Sequence, residues 1–483
     1  MIISMVIKME SANSTETGRN AAPSSGLELA TEAAIWGFPR MLYAKYLRDF
    51  EREGAAFNRF YAMDCMATPN HGGVNVDTLY GVAWLDVATA PVVLDIPDAA
   101  GRYYSIQMVD VYAHNFAYLG RRTTGTGPQR VAVAGPGWQG ALPAGMALIR
   151  APSKRVFCFL RTLVDDAADV QVANDFHGRL AVARLSEPPE AALPTVLTDR
   201  LGPYFPQAHS HLDRLGARYF DALGEALKND PPTGARDLQA LRRFERIGIG
   251  PGRHPAAAGR AVVDLLEQAL GRAMDAIFAA KVNIAVDGWS CNRNFDDGEQ
   301  DALTRAAVNR RGLGMVGIGE AVYLMPAAVC GQGEQHVHPW ESCGPDGRPL
   351  SGTRRYRLRF PAGQLPPVGA FWSLTLYDRD LLLVDNPIGR YALGDRTPGL
   401  EYGPDGSLEV LIQHEPPERG PANWLPAPPG EFQLMFRGYQ PSIAFQRGDY
   451  RLPRLEIAPA AAPADPAAPA NPGAAAEPGA AGR

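Results

Sequence analysis

The sequence has little cysteine and no long apolar run. Five cysteines (Cys65, Cys158, Cys291, Cys330 and Cys343) are scattered among 483 residues. An odd, dispersed set is no disulfide framework, and free thiols suit a reducing cytosol. No stretch reaches the roughly 18 apolar residues that a membrane-spanning helix needs. Basic stripes and arginine-rich runs are missing, and the net charge is a modest -5. Nucleic acid and membrane are therefore not expected as partners. The apolar start is interrupted at Lys8 and Glu10 and lacks a basic leader and a small-residue cleavage site. No secretory signal is expected, and the expected location is cytoplasmic.

Common catalytic signatures are missing too. There is no phosphate-binding P-loop, no Gly-x-Gly-x-x-Gly placed after a strand, no Gly-x-Ser-x-Gly elbow and no zinc-protease helix motif. Nucleotide-dependent and common hydrolytic mechanisms lose weight, and no cofactor is expected.

What is present begins with a strand written twice. Tyr103-Tyr104-Ser105-Ile106-Gln107-Met108-Val109-Asp110 and Phe371-Trp372-Ser373-Leu374-Thr375-Leu376-Tyr377-Asp378 share one pattern. Both alternate at period 2, which predicts strands with one buried face. Tyr104, Ile106 and Met108 share that face in one copy; Trp372, Leu374 and Leu376 share it in the other. Asp110 and Asp378 fall on the same parity. A similar exit follows each copy: Asn115 with Gly120-Arg121, and Asn386 with Gly389-Arg390. The economical explanation is two related β-sandwich domains joined by helices. A chance match of a common strand pattern is the alternative.

The predicted organisation is mainly β with α additions. Residues 1–24 are polar and small and read as disordered. Residues 25–170 read as an N-terminal helix plus a first β-sandwich. Ser25 and Glu28 form a capping box over Leu27 to Gly37. Pro39 is expected to interrupt, with a second helical piece over Met41 to Arg52. Residues 171–315 read as a helical connector, with the clearest amphipathic pattern at Val262 to Ile277. Residues 316–455 read as a second, jelly-roll-like sandwich. Residues 456–483 are almost only Ala, Pro and Gly and read as a disordered tail.

Four polar clusters are candidate sites. Asn75, Asp77 and Tyr80, beside Asn70 and His71, offer acid, base and hydrogen-bond donors; the alternative is an Asx turn entering a strand. Asp110 with Arg121, near Tyr112 and His114, is a tuned acid or base, or else a buried Asp–Arg tie. Asn386, Arg390 and Tyr391 form a polar loop after a strand, where sites concentrate, or a salt-bridged surface turn. Trp424 and Tyr439 are aromatic platforms for a flat ligand, with Trp424 alternatively a packed loop plug. Cys330, His336, His338 and Cys343 are zinc-type donors, but their spacing matches no standard finger and no metal is expected. His209-x-His211 is weaker still.

Several motifs resemble known domains. Asn75-Val76-Asp77-Thr78-Leu79-Tyr80, Trp84-Leu85-Asp86, Gly101 to Asp110 and Arg122-Thr123-Thr124-Gly125 resemble the domain of unknown function numbered twelve-fifty-four. Pro366 to Asp378, Asn386-Pro387, Arg390-Tyr391, Asp405 to Leu408 and Asn423 to Pro428 resemble its usual companion, numbered twelve-fourteen. The resemblance implies a β-sandwich or jelly-roll pair with helical additions, and a homodimer. It carries no settled activity and no catalytic residues. Two departures stand out. Many relatives carry secretion signals, and the Cys330 to Cys343 segment is unusual for the family.

Together these features predict a small-molecule enzyme of specialised or catabolic metabolism. Its expected chemistry is metal-free acid–base work such as isomerisation, elimination or cyclisation. One alternative is a non-catalytic carbohydrate or small-ligand binding protein. The other is a dimeric interaction scaffold.

Overall fold

The computed structural model describes residues 25–69, 75–188, 190–194, 212–280, 283–292, 301–309, 321–326, 344–418 and 420–458. Cys330, His336, His338 and Cys343 lie outside the described residues, as do Asn70, His71, His209 and His211.

The first half is a sandwich. Thr78–Asp86, Arg155–Leu163, Tyr104–Asp110 and Asn115–Gly120 pair antiparallel, with Tyr61–Ala62 and Leu193–Pro194 extending the far edge into a six-stranded sheet. A five-stranded sheet centred on Val92–Ile96 and Gln129–Ala134 covers one face. Leu94, Val133, Ile106, Met108, Cys158 and Leu160 fill the space between. The alternation of apolar residues sets this register, since a slip of one residue would turn Ile106 and Met108 out of the core.

Helices cover part of the sheet's other face. Gly26–Arg52 packs against Arg218–Asn229, Ala235–Phe244, Arg260–Ala279 and Ala302–Asn309. Val82, Trp84, Val109, Phe157 and Phe159 of the sheet join the same core. The capping box is present: Ser25 Oγ accepts from Glu28 N at 3.2 Å, and Glu28 Oε2 accepts from Ser25 N at 2.8 Å. The expected break at Pro39 is corrected, because one helix runs from Gly26 to Arg52. An interior proline costs about 3 kcal/mol. Trp36, Phe38, Met41, Leu42 and Tyr43 are all buried around it. Each contributes about 1.5–3 kcal/mol, enough to hold the helix through the proline. At Gly37 a Cβ would stand 2.6 Å from Leu223 Cδ2, so a larger residue at this helix crossing would have to displace the Leu223 side chain.

The second half repeats the plan. A six-stranded sheet orders Asn283–Val286, Trp289–Asn292, Ala321–Pro326, Phe432–Pro441, Val368–Asp378 and Ala392–Gly394. A four-stranded sheet of Trp424–Pro426, Leu408–Gln413, Tyr356–Phe360 and Glu456–Ile457 packs on it. Trp372, Leu374 and Leu376 enter that core with Leu358, Val410 and Phe436.

Several boundaries move. The first sandwich takes strands from Ala181–Arg184 to Leu193–Pro194, beyond residue 170. The second sandwich begins at Asn283–Val286, inside the expected connector. Glu456–Ile457 pairs with Tyr356 and Arg357, so order runs into the expected tail.

The expectation of one buried face per repeated strand is also corrected. Every residue of Tyr104–Asp110 is buried. Val109 packs into the helical core, and a further layer covers the rest of that face. The six-stranded sheets of the two sandwiches turn faces toward each other, and Tyr103, Leu163, Phe371 and Tyr439 pack across the contact.

Candidate functional site: a polar seam between the sandwiches

The two facing sheets carry the same row of residues. In the first, Gly120, Ser105, Arg161 and Tyr80 are neighbours across adjacent strands. In the second, Gly394, Ser373, Arg437 and Tyr323 occupy the same places by backbone register. The repeat is therefore deeper than one strand. It also corrects the pairing of exits: Gly120 corresponds to Gly394, not Gly389. A Cβ at either glycine would stand 2.1 Å from a carbonyl oxygen, of Tyr104 or of Trp372. Each glycine N–H donates to a threonine hydroxyl, Thr124 at 3.0 Å and Thr397 at 2.9 Å.

Both arginines are buried, Arg161 at 4% and Arg437 at 3% exposure. Arg161 Nη1 donates to Gln107 Oε1 at 3.1 Å and its guanidinium lies 4.3 Å from the Phe159 ring centre. Arg437 Nη1 donates to Thr375 Oγ1 at 3.0 Å, with its guanidinium 5.6 Å from the Tyr377 ring centre. Burying a guanidinium costs several kcal/mol unless it is well hydrogen-bonded, so two at matching positions mark this layer. Burial pushes the Tyr377 phenol up from its ordinary pKa, against the pull of Arg437.

Three predicted residues meet here with a fourth from the other half. Asn75 Oδ1 accepts from Asp77 N, Thr78 N and Thr78 Oγ1 at 3.0, 2.9 and 3.0 Å, which is an Asx turn opening the Thr78–Asp86 strand. Its Nδ2 donates to Tyr439 Oη at 2.5 Å, and its N–H donates to Tyr80 Oη at 3.1 Å. Asp77 Oδ2 accepts from Ser373 Oγ at 2.6 Å. Asp77 Oδ1 accepts from Arg396 Nη2 at 3.3 Å, and the Arg396 guanidinium lies 4.7 Å from the Phe371 ring centre. A carboxylate has about four lone-pair positions, so each Asp77 oxygen retains capacity for another donor or a proton.

Asp110 and Arg121 are not brought together. Asp110 Oδ1 accepts from Tyr112 N and His114 N at 2.8 and 2.9 Å, and Oδ2 contacts His114 Nδ1 at 3.1 Å. Asp378 does the same, accepting from Asp380 N and Leu382 N at 2.9 and 2.8 Å. The repeated acid thus closes a turn at the strand end. His114 Nε2 lies 2.6 Å from Arg305 Nη1. Guanidinium only donates, so Nε2 accepts and the proton sits on Nδ1, facing Asp110. Arg121 is exposed and lines a cavity elsewhere.

The other predicted residues are structural ties. Tyr112 is buried in the helical core, donates to Asp230 O at 2.7 Å, and has its phenol pKa raised by that burial. Asn386 braces its own loop through Val384 O, Arg390 O and Arg390 N. Arg390 Nη1 gathers the carbonyls of Pro421, Ala422 and Trp424. Tyr391 donates to Asp385 at 2.9 Å, and burial raises its phenol pKa. Trp424 and Tyr439 do not form open platforms. Trp424 is 4% exposed and its Nε1 donates to Gln413 O at 2.9 Å. Tyr439 is fully buried and stacks on Phe371 at 4.3 Å.

The seam joins two matched regions. Residues 57–184 match the family described as "Protein of unknown function (DUF1254)", and residues 335–443 match "Protein of unknown function (DUF1214)". The chain carries both domains, in that order. Asn75, Asp77, Ser105 and Arg161 fall in the DUF1254 region, and Ser373, Arg396, Arg437 and Tyr439 in the DUF1214 region. The chain is similar to the VPA0106 protein from Vibrio parahaemolyticus, whose crystal structure covers 90% of this chain and 100% of its own at 23% identity, with a TM-score of 0.66. That likeness is one of fold. An uncharacterised protein from Burkholderia cenocepacia is similar over 91% of each chain at 13% identity, with a TM-score of 0.43. No curated protein matches the chain.

Arg161 and Arg437 are absent from the candidate clusters, and Ser373 enters the sequence reading only as part of the repeated strand. A signal existed. Each arginine interrupts an apolar strand two residues from an aromatic, Phe159 before Arg161 and Tyr439 after Arg437.

Proposed function

We propose that the seam is the working site of a small-molecule enzyme that moves protons next to a carbonyl or similar group without needing a nucleotide. The observation that supports this best is the placement of Arg161 and Arg437 at matching positions on facing sheets that also hold the Asp77 carboxylate. Proton removal beside a carbonyl develops negative charge on oxygen. A fixed, buried guanidinium stabilises that charge more than water does, because it needs no reorganisation. Asp77 is the base in this reading, positioned by Ser373 and Arg396. Tyr80 and Tyr439, both tied to Asn75, orient the substrate. Isomerisation, elimination and cyclisation all fit this step.

The test separates chemistry from folding. Asp77→Asn keeps the shape and hydrogen-bonding size of the side chain while removing the base. A loss of turnover of about 10²–10⁴-fold is expected, in line with general base catalysis. Asp77→Asn that lowers stability yet leaves turnover per folded molecule unchanged would overturn the assignment.

A further inference from the structure

A second place on the molecule has the makings of a ligand site. A cavity of about 370 Å³ opens on the first sandwich at the border of the seam: Tyr103 and Leu163 line it, and its Asp165 shares Arg396 with Asp77. Its volume lies within the usual range for small-molecule pockets, roughly 300–1,000 Å³. Four segments build it: the turn at 98–103, the start of the turn after Asn115–Gly120, the end of Arg155–Leu163 with Asp165 beyond it, and the helix Val170–Gly178 with the residue that follows it.

The walls differ in character. Val172, Phe176 and Leu163 give an apolar side, and Val172 is 55% exposed. Arg102, Arg121 and Arg179 bring cationic groups. Arg102 is occupied: Nη1 and Nη2 donate to the Asp169 carboxylate at 2.5 and 2.6 Å. The lining acids are also engaged. Asp98 accepts from Ala100 N at 2.8 Å, and Asp165 from Arg396 Nη1 at 2.9 Å. Arg121 and Arg179 stand exposed in the wall, Arg179 anchored through Nε to Asp175 O at 3.2 Å.

The floor is held in an unusual conformation. Ala100 has φ 51° and Gly101 φ 81°, within a turn closed by Arg102 N to Ala99 O at 2.9 Å. Alanine in the left-handed region costs about 1–2 kcal/mol and persists where the surroundings hold it.

We propose that this cavity binds a small organic monocarboxylate, its carboxylate met by Arg121 and Arg179 and its apolar body laid against Val172 and Phe176. Guanidinium suits carboxylate through paired N–H donors. The apolar wall selects an aryl or branched alkyl body over a bare anion.

The test uses the full chain at low salt, titrated calorimetrically with phenylacetate, phenylacetamide and inorganic phosphate. Phenylacetate is expected to bind saturably at one site. The Arg121→Ala, Arg179→Ala double variant is expected to bind it at least about tenfold more weakly with an unchanged melting temperature. Val172→Asp, which leaves both arginines in place, is expected to weaken it similarly. Phenylacetamide and phosphate are expected to bind at least about tenfold more weakly than phenylacetate. Absence of saturable phenylacetate binding in the millimolar range overturns the proposal. So does binding that survives the double arginine change, or phosphate binding as tight as phenylacetate.

Discussion

Asp77 accepts a hydrogen bond from Ser373 at 2.6 Å across 296 positions of sequence. One residue opens the strand Thr78–Asp86 of the first sandwich, and the other lies in the repeated strand of the second. Ser373 has its counterpart at Ser105, so the contact grows out of the duplication while Asp77 gives it direction. This bond should couple the two halves. In a double-mutant cycle of Asp77→Asn and Ser373→Ala, a coupling energy of about 1–3 kcal/mol is expected from denaturant unfolding. Strictly additive effects would show that the two side chains act separately.

The matching glycines should be equally intolerant. Gly120→Ala and Gly394→Ala each force a methyl to 2.1 Å from a carbonyl oxygen. Each is expected to lower stability by at least about 2 kcal/mol. Melting temperatures of the two variants, measured side by side, should fall together. A tolerated change at one site would break the structural equivalence.

His177 sets an acid limit. It is 2% exposed, its Nε2 lies 2.8 Å from Thr162 Oγ1, and burial pushes its pKa down to about 4. The folded chain refuses a proton that the unfolded chain accepts near its ordinary value of 6.5. Stability should therefore fall as pH drops from about 6.5 to about 4 and level off below that, by on the order of 3 kcal/mol in all. His177→Gln should flatten that window of the unfolding profile. An unchanged slope would assign the acid sensitivity elsewhere.

Asp110 should prove a fold residue. Asp110→Ala leaves two backbone N–H groups without their acceptor. A loss of about 1–3 kcal/mol in stability is expected, with turnover per folded molecule preserved. Asp378→Ala should behave alike. Loss of turnover at full stability in Asp110→Ala would restore it as a catalytic candidate.

Much of this frame was readable from the residues. Period-2 alternation placed Ile106 and Leu374 in their cores, and Ser25 with Glu28 marked a helix start. Asn75 announced its turn through local hydrogen bonding, which depends on near neighbours alone. What depended on distant partners was less readable. Pro39 looked like a break because its cost is local while the burial that offsets it involves Leu223 and other remote residues. Both faces of Tyr104–Asp110 are covered because the helices and a second sandwich lie against the sheet, which no strand pattern announces. Charge alone pairs Asp110 with Arg121, yet two backbone amides lie closer in the chain. Arg161 and Arg437 are hard to read as buried residues because charge on a strand usually marks the solvent side.

The seam's chemistry is tested most directly by carbon–hydrogen exchange. The protein is incubated in heavy water with a panel of small ketones, keto acids and unsaturated carbonyl compounds, and exchange beside the carbonyl is followed by proton NMR. Protein-dependent exchange on at least one compound is expected, abolished in Asp77→Asn and strongly reduced in Arg437→Gln. No exchange above background across the panel, or exchange that persists in folded Asp77→Asn, would contradict the account.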